Sequence, residues 1–409
     1  MSSCGIIISM MNYLKILLDK TRKERAVVLH HGVYKKTTST LNGIFIITGM
    51  TIGAGILGVP YVIAQVGIKI GLAYILGLGF VMMFLNLMIG EIAVRTKKPM
   101  HIPGFAGHYI GNWAKNFLTV LVVLSSTGAL LAYMVGEGTT LSAIFGGAPL
   151  WWSVFFWSIG SFFIWKGLET AKTVEKYASL TVIILIVGLA FFLFKYIEPS
   201  NLTHFNISKV FLPYGVILFA LNSTSAIAES HALLPGEPGK FRRAVFFGTL
   251  IPIIVYVLFA FAVVGVTGLQ TTEVATIGLG QMLGENVLLI SNVFASLAMF
   301  TGFVGIGIAL KQSLVWDHKV SPVVAEFGIV SVPLLLLLIG INNFVKILDV
   351  VGGLFISLEA IFMVIVYWIA KNRKDLEVGQ YNLHYIWLLM VPVFLVFTFA
   401  TVFSIIKMF

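Results

Sequence analysis

Long apolar runs separated by short polar or basic stretches set the pattern of this chain. A bilayer core about 30 Å thick takes about 20 apolar helical residues to cross. Eleven runs approach or exceed that length: 42–66, 72–94, 113–136, 150–165, 174–196, 210–228, 244–267, 287–316, 323–341, 347–370 and 383–406. The fourth is short and the eighth long. None alternates polar and apolar residues over about ten positions, as a membrane barrel strand would. The pattern therefore predicts an all-α membrane protein with eleven transmembrane helices.

Two runs are interrupted from within. The first carries Gly49, Gly53, Gly55 and Gly58, and each glycine in a helix interior costs about 1 kcal/mol relative to alanine. Gly49 and Gly53 alone would read as a small-residue packing surface. The sixth run, however, holds Asn222, Ser223, Thr224 and Ser225 between Phe219 and Ile227 at the matching position. The pair predicts two broken helices, the first opening near 53–55. Gly53, Gly55 and Gly58 also have the spacing of a dinucleotide fingerprint, but no βαβ pattern surrounds them and no acid follows about 20 residues on. Runs one to five (41–197) and six to ten (211–370) are similar in length. A block with an odd number of spans enters the membrane upside down when repeated, which is the 5+5 inverted-repeat plan of many secondary transporters. The eleventh run (383–406) is then an extra helix.

Composition narrows the class. Of 409 residues, 58% are hydrophobic and 11% charged, against about 25% charged in soluble domains; lipid is the expected neighbour of most of the surface. Cys4 is the sole cysteine, so no disulfide forms within the chain. The net charge of +10 is scattered in clusters between apolar runs rather than gathered in one patch, which argues against a nucleic-acid partner. With the N-terminus in the cytoplasm, 22 of the 27 lysines and arginines fall inside and five outside: Lys69, Lys195, Lys209, Lys346 and Lys407. That asymmetry predicts a cytoplasmic N-terminus and an outside C-terminus in a cell membrane. Residues 1–40 read as a basic cytoplasmic segment rather than a signal peptide, because the charges follow the apolar part.

The run 43–60, GIFIITGMTIGAGILGVP, resembles the opening signature of amino acid permeases of the aromatic amino acid and auxin permease group. That group, with the tyrosine and tryptophan permeases, lies in the amino acid, polyamine and organocation superfamily. The stretches within 214–265 (YGVILFALNSTSAIAES, then RRAVFFGTLIPIIVYVLFAFAVVG) and 298–310 (AMFTGFVGIGIAL) agree with it. The resemblance implies a leucine-transporter-type fold and secondary active transport of an amino acid by alternating access. No cofactor is implied.

The chemistry of a broken helix fits that implication. A break leaves free amides on one side and free carbonyls on the other, and both need partners away from water. An amino acid zwitterion supplies both. Its carboxylate suits amides near Ala54 and Gly55, beside the opening at Gly53, at the positive end of the outer half-helix. Its ammonium suits carbonyls near Thr51, Phe219 and Ala220, with a side-chain oxygen from Asn222. The resemblance gives the same substrate positions and adds Tyr133 as a residue closing the pocket. The pocket lacks an evident fixed charge, which favours a neutral, apolar or aromatic substrate.

For coupling, sodium-dependent relatives would map a cation site onto Gly49, Ile52, Ala298 and Thr301. Gly302 replaces a second hydroxyl there, so the tyrosine and tryptophan permease likeness makes a proton the first expectation and sodium the alternative. Neither Lys176 nor Lys195 of span five stands at the depth where some proton-coupled relatives place a lysine. Ionisable groups inside the apolar layer are costly and usually functional. Glu359 lies mid-span as a candidate proton carrier, Glu91 is expected to pair with Arg95 four residues on, and Glu229 to brace span six. The histidines, His101 among them, lack metal-ligand spacing and read as solvated or interfacial. No phosphate-binding loop points to ATP. A transporter-like amino acid sensor is a rival reading; a membrane enzyme would need a catalytic constellation that is not visible.

Overall fold

The computed structural model describes residues 39–96, 100–166, 168–234, 237–373, 381–383 and 386–408, and every regular element among them is helical. The segment 1–38, Lys97, Lys98, Lys374 and His384 lie outside the described residues, as does the side chain of Lys176. The first predicted run divides into α1 (Thr40–Thr51) and α2 (Gly55–Val66), whose axes differ by 56°. Gly67 turns the chain at φ 105° into α3 (Ile68–Thr96), and a Cβ there would meet the His204 carbonyl oxygen at 2.3 Å. Next come α4 (Ile102–Tyr109), α5 (Asn112–Phe145), α6 (Pro149–Lys166) and α7 (Leu168–Leu193). The sixth run also divides, into α8 (Pro213–Ala220) and α9 (Thr224–Leu233). They are followed by α10 (Pro238–Thr267), α11 (Ala275–Leu283), α12 (Glu285–His318) and α13 (Pro322–Leu338). α14 (Phe344–Val350) runs through a π-helical turn at Val351–Ile356 into α15 (Ser357–Asn372), and α16 (Ile386–Met408) ends the described chain.

Seven helices among the described residues are long and apolar enough to cross a membrane, eight when the bent pair α1–α2 counts as one span. Their outward faces stay apolar: Ile254 is 55% and Leu388 74% exposed. The elements depart from the sequence pattern in three places. The third run was expected to stop at 136, whereas α5 continues to Phe145 and carries Glu137 inside the bundle. The short helices α4 and α11 lie between the expected runs, where no apolar periodicity announced them. His101, expected at a solvated or interfacial position, is 3% exposed just before α4, its ring 4.9 Å from that of Trp316. Burial pushes its pKa down to about 4, so it is neutral at pH 7.

The two broken spans lie together. α1 packs on α9 and α10, α2 packs on α8 and α10, and α8 packs on the π-helical turn. α5 and α12 form a long antiparallel pair beside them, and α12 also reaches α1. Backbones approach closely where glycine permits. A Cβ on Gly352 of the π-helical turn would fall 1.9 Å from the Gly215 carbonyl oxygen. A Cβ on Gly55 would fall 2.5 Å from Cα of Ala220.

Candidate substrate site

α1 stops at Thr51 because Ile52 leaves the helical region, at φ −82° and ψ 92°, and the helix resumes only at Gly55. In the sixth span, α8 stops at Ala220 and α9 starts at Thr224. The side-chain oxygen of Asn222 accepts from the Thr224 amide at 3.3 Å and its hydroxyl at 3.0 Å, so this residue holds the start of α9. That oxygen was expected to face an ammonium; it is engaged within its own loop, and the side-chain amide is the end left over. The Phe219 carbonyl, another expected ligand, accepts from the Asn222 amide at 3.2 Å.

The remaining two carbonyls converge. Tyr256 of α10, fully buried, directs its hydroxyl at Thr51 O (2.8 Å) and Ala220 O (2.9 Å). One phenol thus ties the end of α1 to the end of α8. The Gly53 amide also donates to Thr51 O at 3.1 Å, so both lone pairs of that oxygen are engaged, whereas Ala220 O has room for a second donor. Sequence reasoning did not single out this residue, because one tyrosine in an apolar run carries no pattern; only its neighbours distinguish it.

Tyr133 of α5 is 2% exposed and sits against the first break. A Cβ on Gly53 would lie 2.4 Å from its hydroxyl oxygen, and one on Gly302 of α12 would lie 2.5 Å from it. The Ala54 backbone also bonds this hydroxyl. Gly302, read from sequence as a missing hydroxyl, is the space that admits the Tyr133 ring. Gly55 meets Ala220 backbone to side, so Gly55→Leu would disturb packing before it tested binding.

The positions named for coupling fall into two groups. Gly49 faces Ser179 of α7, whose hydroxyl oxygen would lie 2.1 Å from an added Cβ and has no hydrogen-bond partner among the described residues. Ile52 and Ala298 are buried, and the Thr301 hydroxyl donates back to Leu297 O (3.0 Å) or Ala298 O (3.1 Å). Glu359 stands apart from these, 3% exposed, with the Ser125 hydroxyl donating to it at 2.5 Å. Asn86 of α3 donates to Ser223 Oγ at 2.8 Å beside the second break, a contact no local motif announces.

Glu91 does pair with Arg95, and further partners join them. Lys371 Nζ lies 2.5 Å from Glu91 Oε1, while Tyr367 Oη donates to Oε2 at 2.6 Å and the Leu383 amide at 3.3 Å. Glu229 is buried in α9, and Lys195 is exposed.

Two interrupted helices meeting inside an all-helical membrane bundle are the mark of the leucine-transporter-type fold. The structure of MhsT in complex with L-phenylalanine superposes with a TM-score of 0.64 at 15% identity, covering 92% of this chain and 100% of that one. The Eremococcus coleocola manganese transporter gives 0.63 at 13% identity, covering 90% and 86%. The chain matches the tryptophan/tyrosine permease family over residues 36–406 and belongs to that family. Among curated relatives, "Glutamine transporter 2" of Aliivibrio fischeri (strain ATCC 700601 / ES114) is 26% identical over 363 residues, 83% of this chain and 91% of its own. "Tyrosine-specific transport system 2" of Haemophilus influenzae (strain ATCC 51907 / DSM 11121 / KW20 / Rd) is 26% identical over 305 residues, 67% of this chain and 73% of its own. These relatives are transport proteins rather than enzymes, and the chain is a multi-pass integral membrane protein.

Proposed function

We propose that this permease is a secondary active transporter that takes up a neutral amino acid, apolar or aromatic, together with a proton, by alternating access around the two broken spans. The observation that carries the reading is the convergence of Thr51 O and Ala220 O on one hydroxyl at the junction of both breaks. There the Gly55 amide, joined by those of Gly53 and Ala54 when they leave Thr51 O and the Tyr133 hydroxyl, meets the carboxylate, and the carbonyls of Thr51, Phe219 and Ala220 meet the ammonium. Asn222 contributes its side-chain amide, a donor, rather than its oxygen. Tyr133 closes the site from α5. Relatives named for tyrosine and glutamine transport fit a neutral substrate.

The topology we assign is eleven spans with the N-terminus in the cytoplasm and the C-terminus outside, the segments 41–197 and 211–370 being inverted repeats and 383–406 an extra helix. The crossed packing of α1 on α9 and α2 on α8 supports the repeat, since a twofold that exchanges α1 with α8 and α2 with α9 turns one contact into the other.

A sodium-coupled reading has one observation in its favour: the Ser179 hydroxyl beside Gly49 adds an oxygen to the set formed with Ile52, Ala298 and Thr301. One experiment separates the two. The purified full-length protein in proteoliposomes is given labelled L-tyrosine, L-phenylalanine or L-glutamine under an imposed pH gradient, a sodium gradient, or neither. Accumulation driven by the pH gradient supports proton coupling, and accumulation driven only by sodium replaces it. Binding of these amino acids without flux under any gradient would overturn transport itself and leave a sensor.

A further inference from the structure

The third and eighth spans run antiparallel in one continuous register. Tyr133 meets Gly302, Gly136 meets Met299 at 2.9 Å from its sulfur to a built Cβ, and Glu137 bonds the Ser296 hydroxyl. Polar groups line this seam just beyond the substrate site. Glu137 lies one helical turn from Tyr133 and is 3% exposed; its Oε2 has no hydrogen-bond partner among the described residues. Asn292 precedes Ser296 by four residues and so shares its helix face. It is 0% exposed, and neither end of its amide is partnered among the described residues.

A carboxylate held by one hydroxyl in the apolar layer is poorly compensated, and a purely structural acid there would be expected to have both oxygens engaged. The neutral acid avoids the cost of a buried charge. An asparagine one turn from Ser296 on the facing helix has the chemistry to serve both forms, its Nδ2 donating to a carboxylate and its Oδ1 accepting from an acid. Among the described residues, no charged side chain opposes this cycle from the neighbouring elements. On the same end of the bundle, Glu285 of α12 and Lys346 of α14 are exposed, and Asp349 of α14 pairs with Lys407. Glu359 of α15 bonds Ser125, twelve residues before Glu137 on α5 and so roughly 18 Å away along the helix at about 1.5 Å per residue. Lys115, Lys166, Lys311, Glu326, Asp317, His318, His108 and Lys371 belong to the opposite end of α5 or of the helices packed on it. Tyr133 is the one titratable group within a turn on α5 itself.

We propose that Glu137 is the binding site of the co-transported proton on the outer side of the substrate site, with Asn292 and Ser296 stabilising its two forms. Loading converts carboxylate and hydronium to carboxylic acid and water; release on the inner side is the reverse. Its state reaches the first break through Tyr133, whose hydroxyl packs on Gly53 and Ala54. This rests on the proton-coupled reading above.

The test uses full-length wild type, Glu137→Gln and Glu137→Asp in proteoliposomes, with two readouts: accumulation of labelled amino acid under a pH gradient, and exchange of labelled for unlabelled amino acid at equal pH on both sides. Glu137→Gln should lose pH-driven accumulation by about tenfold or more, while exchange persists and no longer responds to pH. Glu137→Asp should keep coupling with a displaced pH midpoint. Wild-type accumulation by Glu137→Gln overturns the assignment, and so does loss of exchange together with accumulation in a protein that unfolds at the wild-type temperature. Should Glu137→Gln fail to fold, an unshifted midpoint in Glu137→Asp overturns it and a shifted one sustains it. Sodium-only driving of the wild type would remove both this proposal and proton coupling, whereas pH-driven wild type with an indifferent Glu137→Gln removes this proposal alone.

Discussion

One hydroxyl proton serves two helix ends at Tyr256, and its removal should be felt at both. A buried acceptor left unsatisfied costs about 1–3 kcal/mol, so Tyr256→Phe is expected to lower the thermal unfolding midpoint in detergent and to cut uptake by about tenfold. Unchanged values for both would mean that Thr51 O and Ala220 O do not depend on it. Gly53 and Tyr133 offer a sharper residue-scale experiment. A Cβ on Gly53 would lie 2.4 Å from the Tyr133 oxygen but 3.1 Å from the nearest ring carbons. Removing the hydroxyl therefore relieves most of the clash. Gly53→Ala should cost about 1–3 kcal/mol by overpacking, and Tyr133→Phe should restore part of that stability. A double-mutant cycle with no coupling would refute the contact. Neither partner was legible as a pair in the sequence: Gly53 stood out within a glycine-rich run and Tyr133 only through family likeness, and their meeting is set by how α5 leans on the break.

Among the elements, glycine and charge join what the chain order separates. The π-helical turn at Val351–Ile356 lies close enough to α8 that a Cβ on Gly352 would fall 2.7 Å from the Phe219 amide nitrogen. Gly352→Ala should therefore lower stability and uptake together, and wild-type behaviour would show that the turn can withdraw. The turn was not legible, because nothing in the run 347–370 distinguishes a widened turn from ordinary helix. At the end of α3, Glu91 gathers Arg95, Lys371 and Tyr367 together with the backbone of residue 383. Removing one partner from a buried ion cluster costs about 3–5 kcal/mol, since Arg95 and Lys371 would then face each other. Glu91→Gln should thus be more damaging than Glu91→Gln combined with Lys371→Met, measured by thermal unfolding; equal stabilities would show that the cluster is solvated. The spacing of Glu91 and Arg95 made their pair legible, but the contribution of Lys371, separated from them by most of the chain, was not.

For the molecule as a whole, the orientation proposed from charge has a direct test. With Cys4 replaced by serine, a cysteine at Lys240 should react with an impermeant maleimide only after the membrane is opened, and one at Lys346 should react in intact cells. The opposite pattern would invert the topology. At this scale the chain's own pattern already determined that it is helical, lies in a membrane and is interrupted twice, because lipid demands long apolar helices and a break needs glycine or polar residues at that very place. Such requirements are local and are written in consecutive residues. Tertiary structure decided what closes on each break: Tyr256 across both helix ends, Tyr133 over Gly53 and Gly302, and Glu137 beside Ser296. Those relations depend on helix rotation and register, and a lone polar residue in an apolar run looks the same whichever way its helix is turned.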